Sequence, residues 1–441
     1  MRHSRKQKKI EEVTEKGSET EEMEMDDLPD AILQYILSFI SHAKDVASCS
    51  CVSNRWKEAM PYIRSLYFPR NSFDERTNSA DSILTQMITS TTSLERLVVY
   101  CPFSVSSLSS WLSRVHQSLK HLELRLDSLN EKKPMNENRT KLDCIGCATR
   151  LETLKLWGVL LVHPPKWFMF KNLHTLEMIG VRLRDNALAE ALRACPNLTH
   201  LSLLGCDGTK VVSIDLQKLE EFRLDFYGLG DSFLSLDTPK LRLLEVQGAC
   251  WIRVNQNSSL KYLSIANNAG KVAKVNFGKL EALEYLSIRG VQWGWDAVTS
   301  ILQSATEVKH LVMKIEFSGD SETLQPFPEI DFVEFFSKHP KLCNFECHGA
   351  MFAALCQKNS LKRINSKFMI PSLEQVLVTV RSPLNAEQKL TTLESLVKYS
   401  KRLRRMVIRV TQMKNCHECA DDFFEDICRL KLRNSNIIRI E

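Results

Sequence analysis

Between Leu94 and Leu403 the chain repeats one apolar frame, L-x-x-L-x-[LIVM], thirteen times. Clear copies are LERLVV from Leu94, LKHLEL from Leu119, LETLKL from Leu151, LTHLSL from Leu198 and LEYLSI from Leu283. Weaker ones are LCNFEC from Leu342, LEQVLV from Leu373 and LRRMVI from Leu403. Side chains alternate along an extended backbone, so the fourth and sixth positions share one side of a short strand and the third, fifth and seventh share the other. One such strand cannot shield its apolar side. A parallel stack can, and the frame therefore predicts a solenoid.

Steps of about 26 residues lie in the range of leucine-rich repeats. Between strands the chain returns through segments with helical apolar spacing: RDNALAEALRAC, WDAVTSILQSA, DFVEFFSKH and NAEQKLTTLESLVKYS. Pro196 and Pro340 follow two of them, where a proline stops a helix without removing a needed donor. Short steps, such as Leu198 to Leu219, leave little room for a helix and predict loops or short turns. The expected fold is α/β: an irregular horseshoe with parallel strands on the concave face and helices and loops on the convex face. The final stretch, DDFFEDICRLKLRNSNIIRI, predicts one more helix and strand as an end cap.

A different pattern precedes the repeats. From Pro29 of MDDLPDAILQYILSF onward, Ile32, Leu33, Ile36, Leu37 and Ile40 recur at helical spacing, and Pro29 suits the first helical position. Asp26, Asp27 and Asp30 favour the positive end of the helix dipole. Tyr35 and Phe39 add a second apolar stripe, more than one core face requires. KDVASCSCVSNRWKEAM then predicts two shorter helices, with Asp45 and Ser53 as caps and Val46, Cys49, Val52 and Trp56 inward. A unit of this size rarely holds a core alone, so a second protein is expected to complete it.

Composition narrows the remaining possibilities. The chain has 441 residues and a formal charge of +6, so nucleic acid is not expected as the main partner. Residues 1–24 are almost entirely polar and predict a disordered charged tail. Its RKQKK cluster reads as a solvated charge run, with a nuclear-import signal as the alternative. The longest apolar run, LWGVLLV, is too short to span a bilayer, so the expected location is the nucleus or the cytoplasm. The fourteen cysteines are then expected as reduced thiols. Cys144 with Cys147, and Cys416 with Cys419 around His417, lie too far apart in sequence to suggest a closed four-ligand zinc site. No metal or cofactor is expected.

The segment LPDAILQYILSFISHAKDVASCSCVSNRWKEA resembles an F-box. The resemblance rests on Leu28 and Pro29, on Ile36 and Leu37 in the first helix, on Asp45 and Val46, and on Val52, Ser53, Arg55 and Trp56. Cys49 and Cys51 depart from the larger aliphatic residues usual there. With the repeats behind it, ACPNLTHLSLLGC among them, the chain is similar to plant F-box/leucine-rich-repeat proteins. This implies an F-box over 25–62 and a solenoid with its cap over 63–441. It further implies that the F-box docks on a Skp-type adaptor, which binds a cullin, while the repeats hold a target protein for ubiquitin transfer. Leu28, Pro29, Ile32, Ile36, Leu37, Val46 and Trp56 would be adaptor contacts or their supports.

On the concave face the third position would present Tyr262, Tyr285, His310 and Arg405, and the seventh Trp157, Arg289 and Arg409. Tyr, Trp and Arg are common energetic centres of protein interfaces, so these seven are the candidate target contacts. Phosphate-loop, nucleophile-elbow and zinc-protease motifs are absent from the sequence, and no nucleophile and base are placed together, so an enzyme is not expected. A non-degradative binding scaffold and a small-molecule co-receptor remain as alternatives.

Overall fold

The computed structural model describes residues 28–73, 80–126, 142–227, 232–255, 258–268, 270–317, 327–411 and 417–441. The expected tail over 1–24 lies outside them, as do Cys416 and the side chains of His417 and Cys419. Among the described residues fifteen parallel strands form one sheet from Ser65–Phe68 to Ile438–Ile440, the strands of the repeats following one another in chain order. Every first, fourth and sixth position of the thirteen frames is buried, from Leu94, Leu97 and Val99 to Leu403, Met406 and Ile408. Burying one such side chain contributes about 1.5–3 kcal/mol, and the ladder repeats that gain at each step. This is the expected α/β horseshoe.

The frame begins one repeat earlier than the strict pattern shows. Ile63, Leu66 and Phe68 are buried in the same three positions, and the strand Ser65–Phe68 pairs in register with Arg96–Val99. Ile at the first position and Phe at the sixth hid this copy from a leucine-led frame.

Helices stand on the convex side at Asp185–Arg193, Trp295–Ser304, Phe332–Lys338 and Ala386–Tyr399, where the spacing places them. Helices Ala80–Ser90, Val105–Val115 and Gly349–Leu355 join them. The short steps do not return through loops alone. Val211–Asp215, Phe233–Asp237, Trp251–Asn255 and Lys274–Asn276 make a second, four-stranded parallel sheet. The reason is local: Val212 and Ile214, Leu234 and Leu236, and Ile252 and Val254 alternate with polar residues and bury together.

The N-terminal unit consists of α1 (Asp30–Ser38), α2 (Ala43–Ser50) and α3 (Asn54–Ala59). Two local expectations change. Helix α2 begins two residues before Asp45, with His42 at its cap accepting from the Lys44 N–H at 3.2 Å. Val52 faces outward, because the turn before α3 carries it past the core. The unit also leans on the solenoid: the Tyr67 N–H donates to the Ser41 carbonyl at 2.6 Å, and His42 bridges to Tyr67 in parallel. Leu33, Leu37, Val46 and Trp56 join one core with Ile63, Leu66 and Phe68. The unit therefore covers the open edge of the first strand, and the solenoid supplies part of the core that so small a unit lacks. At the far end, the helix His417–Arg433 and the strand Ile438–Ile440 cover the last repeat.

His339 ties two repeats together, with Nδ1 2.7 Å from the Phe335 carbonyl and Nε2 3.2 Å from that of Leu302. Burial outweighs both carbonyls and holds its pKa below the ordinary 6.5. Below about pH 6.5 the unfolded chain binds a proton that the folded chain resists, so stability present at neutral pH is lost as pH falls. The melting temperature is expected to be lower at about pH 5.5 than at about pH 7.5, with a smaller drop in His339→Gln. Equal drops in the two chains would remove His339 as a cause.

Candidate functional site

Two surfaces stand out, one at each working part of the chain. On α1, Leu33 and Leu37 are fully buried and turn the opposite side of the helix outward. There Ile32, Tyr35 and Phe39 are 43%, 63% and 71% exposed, with Ile36 half-buried among them. These positions are three and four apart, so they form one stripe along the helix. The Tyr35 and Phe39 rings meet edge to face at 4.9 Å. Exposed Val52 is a further apolar residue of the same unit.

Of the residues singled out from the sequence, Pro29 and Ile32 are exposed, and Leu28 and Ile36 are half-buried. Leu37, Val46 and Trp56 are buried and support the unit from inside. Tyr35 and Phe39, noted in the sequence only as a surplus stripe, are the more exposed members.

Arg55 fixes the entry to α1. Its Nη2 donates to the Leu28 carbonyl at 2.6 Å and to Asp30 Oδ1 at 2.7 Å. Arg55→Ala should lower stability by about 1 kcal/mol, most of it from the part-buried carbonyl rather than the exposed ion pair. Denaturant unfolding checks this, and an unchanged midpoint would show that the two contacts carry no net energy.

The second surface is the concave face. The thirteen third-position residues from Arg96 to Arg405 lie in one transverse row of paired Cα positions. Within it Tyr262 and Tyr285 stack at 4.4 Å with rings 2° from parallel, and His310 follows at 6.4 Å. Burial raises the Tyr262 pKa, and its Tyr285 neighbour adds to the shift. Arg289 donates to Ser264 Oγ at 3.0 Å beside this shelf. Tyr285 and His310 also line a hollow of about 350 Å³ that extends toward the C-terminal end to Arg405 and Arg409, where Arg409 pairs with Glu441 at 2.9 Å.

Trp157 belongs to neither group. It lies near the N-terminal unit, where its Nε1 and the Tyr100 hydroxyl both donate to Glu123 Oε1, at 3.1 and 2.5 Å. Burial, followed by Glu123, raises the Tyr100 pKa and keeps the phenol a donor. Tyr67 continues this aromatic line toward His42, at ring distances of 5.7 and 5.9 Å. The seven concave candidates thus divide between two places along the horseshoe, Trp157 in one and the other six in a continuous run from the tyrosine shelf into the hollow.

The short 3-10 helix Asp143–Cys147 carries Cys144 and Cys147. Cys147 Sγ donates to the Cys144 carbonyl at 3.0 Å, and burial pushes the Cys144 thiol up to about 11. Among the described residues no three His, Cys, Asp or Glu side chains gather as a metal site. None of the described helices is long and apolar enough to cross a membrane.

Two family models match the chain: an F-box-like domain over residues 25–67, and the leucine-rich repeats of "FBD-associated F-box protein At5g56370" over 108–330. "F-box protein At1g10780" of Arabidopsis thaliana is 57% identical over 419 residues, which is 95% of this chain and 100% of that protein. "F-box/FBD/LRR-repeat protein At5g56420" of the same organism is 24% identical over 328 residues, 65% of this chain and 76% of that protein. "F-box/LRR-repeat protein At1g67190", also from Arabidopsis thaliana, is 22% identical over 322 residues, 68% of this chain and 73% of that protein.

Proposed function

The chain belongs to the plant F-box/leucine-rich-repeat family, and from that premise we propose that it is the substrate-recognition adaptor of an SCF-type ubiquitin ligase. The observation that carries the reading is the outward apolar stripe of α1, with Leu33 and Leu37 locked beneath it. A stripe of this kind, read at positions three and four apart, suits a helix that packs into a partner's groove. In this reading Ile32, Tyr35, Ile36 and Phe39 meet a Skp-type adaptor, which in turn binds a cullin. Leu28 and Pro29 extend the contact, and Leu37, Val46 and Trp56 hold the surface in shape.

The concave face, with Trp157, Tyr262, Tyr285, Arg289, His310, Arg405 and Arg409, takes the target. The chain itself performs no bond-making step. Holding a target lysine near a loaded ubiquitin carrier raises its effective concentration, which is where the adaptor contributes to the rate. The contacts between the N-terminal unit and the strand Ser65–Phe68 favour this use, because a fixed joint between docking end and grip sets where the target is presented.

Co-purification of the full chain with a Skp-type adaptor tests the proposal. Association is expected, and its absence in the wild type overturns the reading. Removing the chain from cells should let its target accumulate; a scaffold that does not recruit a ligase would leave target abundance unchanged. The nucleus or the cytoplasm is the proposed place of action, which imaging of a fluorescent fusion checks.

A further inference from the structure

The concave face is not uniform in charge. Up to the strand Tyr262–Asn267, its basic and acidic side chains nearly balance and many are paired: Lys155 with Glu177 at 2.7 Å, and Arg223 with Glu245 at 3.2 Å. From Tyr285 onward the described strands present Arg289, Lys314, Arg405, Arg409 and Arg439 against Glu316, Glu346 and Glu441. All three acids are already engaged, Glu316 by Arg381. Glu346 accepts from Lys314 at 2.6 Å and His348 at 2.8 Å, and Glu441 holds Arg409. Burial opposes ionisation of Glu346, yet these two partners hold its pKa below the ordinary carboxylate value. Arg405 is exposed and has no ion pair among the described residues.

Beside these charges runs an apolar floor. Val312, Leu377 and Val407 hold the fifth position of their repeat frames and line the same hollow as Arg405, with Glu346 in the same row between Val312 and Leu377, its carboxylate held by Lys314 and His348. The stacked Tyr262 and Tyr285 lead into it from one side. The row from Tyr262 to Arg405 crosses five strand spacings, about 24 Å, the length of about seven extended residues. A hollow of about 350 Å³ accepts a few side chains.

We propose that this half of the concave face binds an extended, acidic segment of the target. The segment would lay apolar side chains on Val312, Leu377 and Val407 and place an anionic group, carboxylate or phosphate, against Arg405. The inference rests on the reading that the concave face receives the target. Arg405 is suited to the anion because its planar fork matches either oxyanion, and the two carboxylates that line the same hollow, Glu346 and Glu441, are held by Lys314, His348 and Arg409 rather than by Arg405. The surplus of basic side chains steers the segment into place and disfavours basic ones.

The test is selection of random decapeptides on the immobilised full chain, in two arms, one with phosphoserine among the building blocks and one without. Enrichment of Asp and Glu, or of phosphoserine in the first arm, supports the inference, and the arms tell carboxylate from phosphate. Arg405→Glu, at an exposed position, should keep the wild-type melting temperature and weaken the best selected peptide by about tenfold or more. Selection of basic peptides, no acidic enrichment, or affinity unchanged in Arg405→Glu overturns it. Adaptor co-purification does not involve Arg405. A chain that selects acidic peptides but binds no Skp-type adaptor therefore removes the ligase reading and leaves this one standing; the converse result does the reverse.

Discussion

With Tyr35→Ala and Phe39→Ala combined, affinity for a Skp-type adaptor is expected to fall by about 100-fold or more while the melting temperature stays near the wild-type value. The two rings are the most exposed apolar groups of α1 and touch little except each other, so removing them takes almost nothing from the core. Alanine is also a better helix former than either aromatic, which keeps α1 intact. Large aromatic side chains at the centre of an interface commonly contribute about 2 kcal/mol or more each, and two of them account for the expected loss. Leu33→Ala makes the contrast. Leu33 is fully buried, so its truncation should cost about 2–5 kcal/mol of stability, and adaptor binding would be lost only because the surface loses its support. Binding measured beside thermal melts separates the two. An adaptor affinity within threefold of wild type for the double variant would place the docking surface elsewhere.

Gly290→Ala should be the most damaging single exchange on the solenoid backbone, costing about 3 kcal/mol or more. Gly290 has φ +105 at a register shift in the strand Tyr285–Trp293, and a Cβ there would stand 1.8 Å from the Asn267 carbonyl oxygen. The neighbourhood cannot give way cheaply. Asn267 is fully buried and its Nδ2 donates to the Gly270 and Val291 carbonyls at 2.7 and 2.9 Å. Trp293, also buried, donates to the Arg289 carbonyl at 3.0 Å. Gly278 is the control: its φ is +64, but a Cβ would meet nothing within 4 Å, so its alanine variant should lose only about 1 kcal/mol. Denaturant unfolding of both variants checks the pair, and equal costs would show that the conformation rather than the close approach matters at Gly290.

Both predictions depend on features that the sequence marks unevenly. The surplus stripe of Tyr35 and Phe39 is visible as spacing, but a helical pattern does not say which of two apolar stripes faces the core. The packing of Leu33 and Leu37 against the rest of the unit decides it. Gly290 is one of fifteen glycines, and nothing in the string of letters separates it from Gly278. The approach of the Asn267 backbone does. The second sheet shows the opposite case, since the alternation in VVSID, FLSLD and WIRVN was open to view inside steps too short for a helix.

By itself the sequence determined the repeat, its buried first, fourth and sixth positions, and the concave row that runs through Tyr262, Tyr285, His310 and Arg405. These follow from periodicity, and an alternation of two along an extended chain assigns each side chain to a face wherever the strand ends up. Tertiary structure decided what that periodicity leaves free: that Trp157 lies with Tyr100 and Glu123, apart from the tyrosine shelf, and that Arg405 shares one hollow with Tyr285 and His310. It also seated the N-terminal unit on the first strand through Ser41 and Tyr67. Such neighbourhoods depend on the length and path of each return segment and on the close packing of side chains distant in sequence, neither of which a local pattern records.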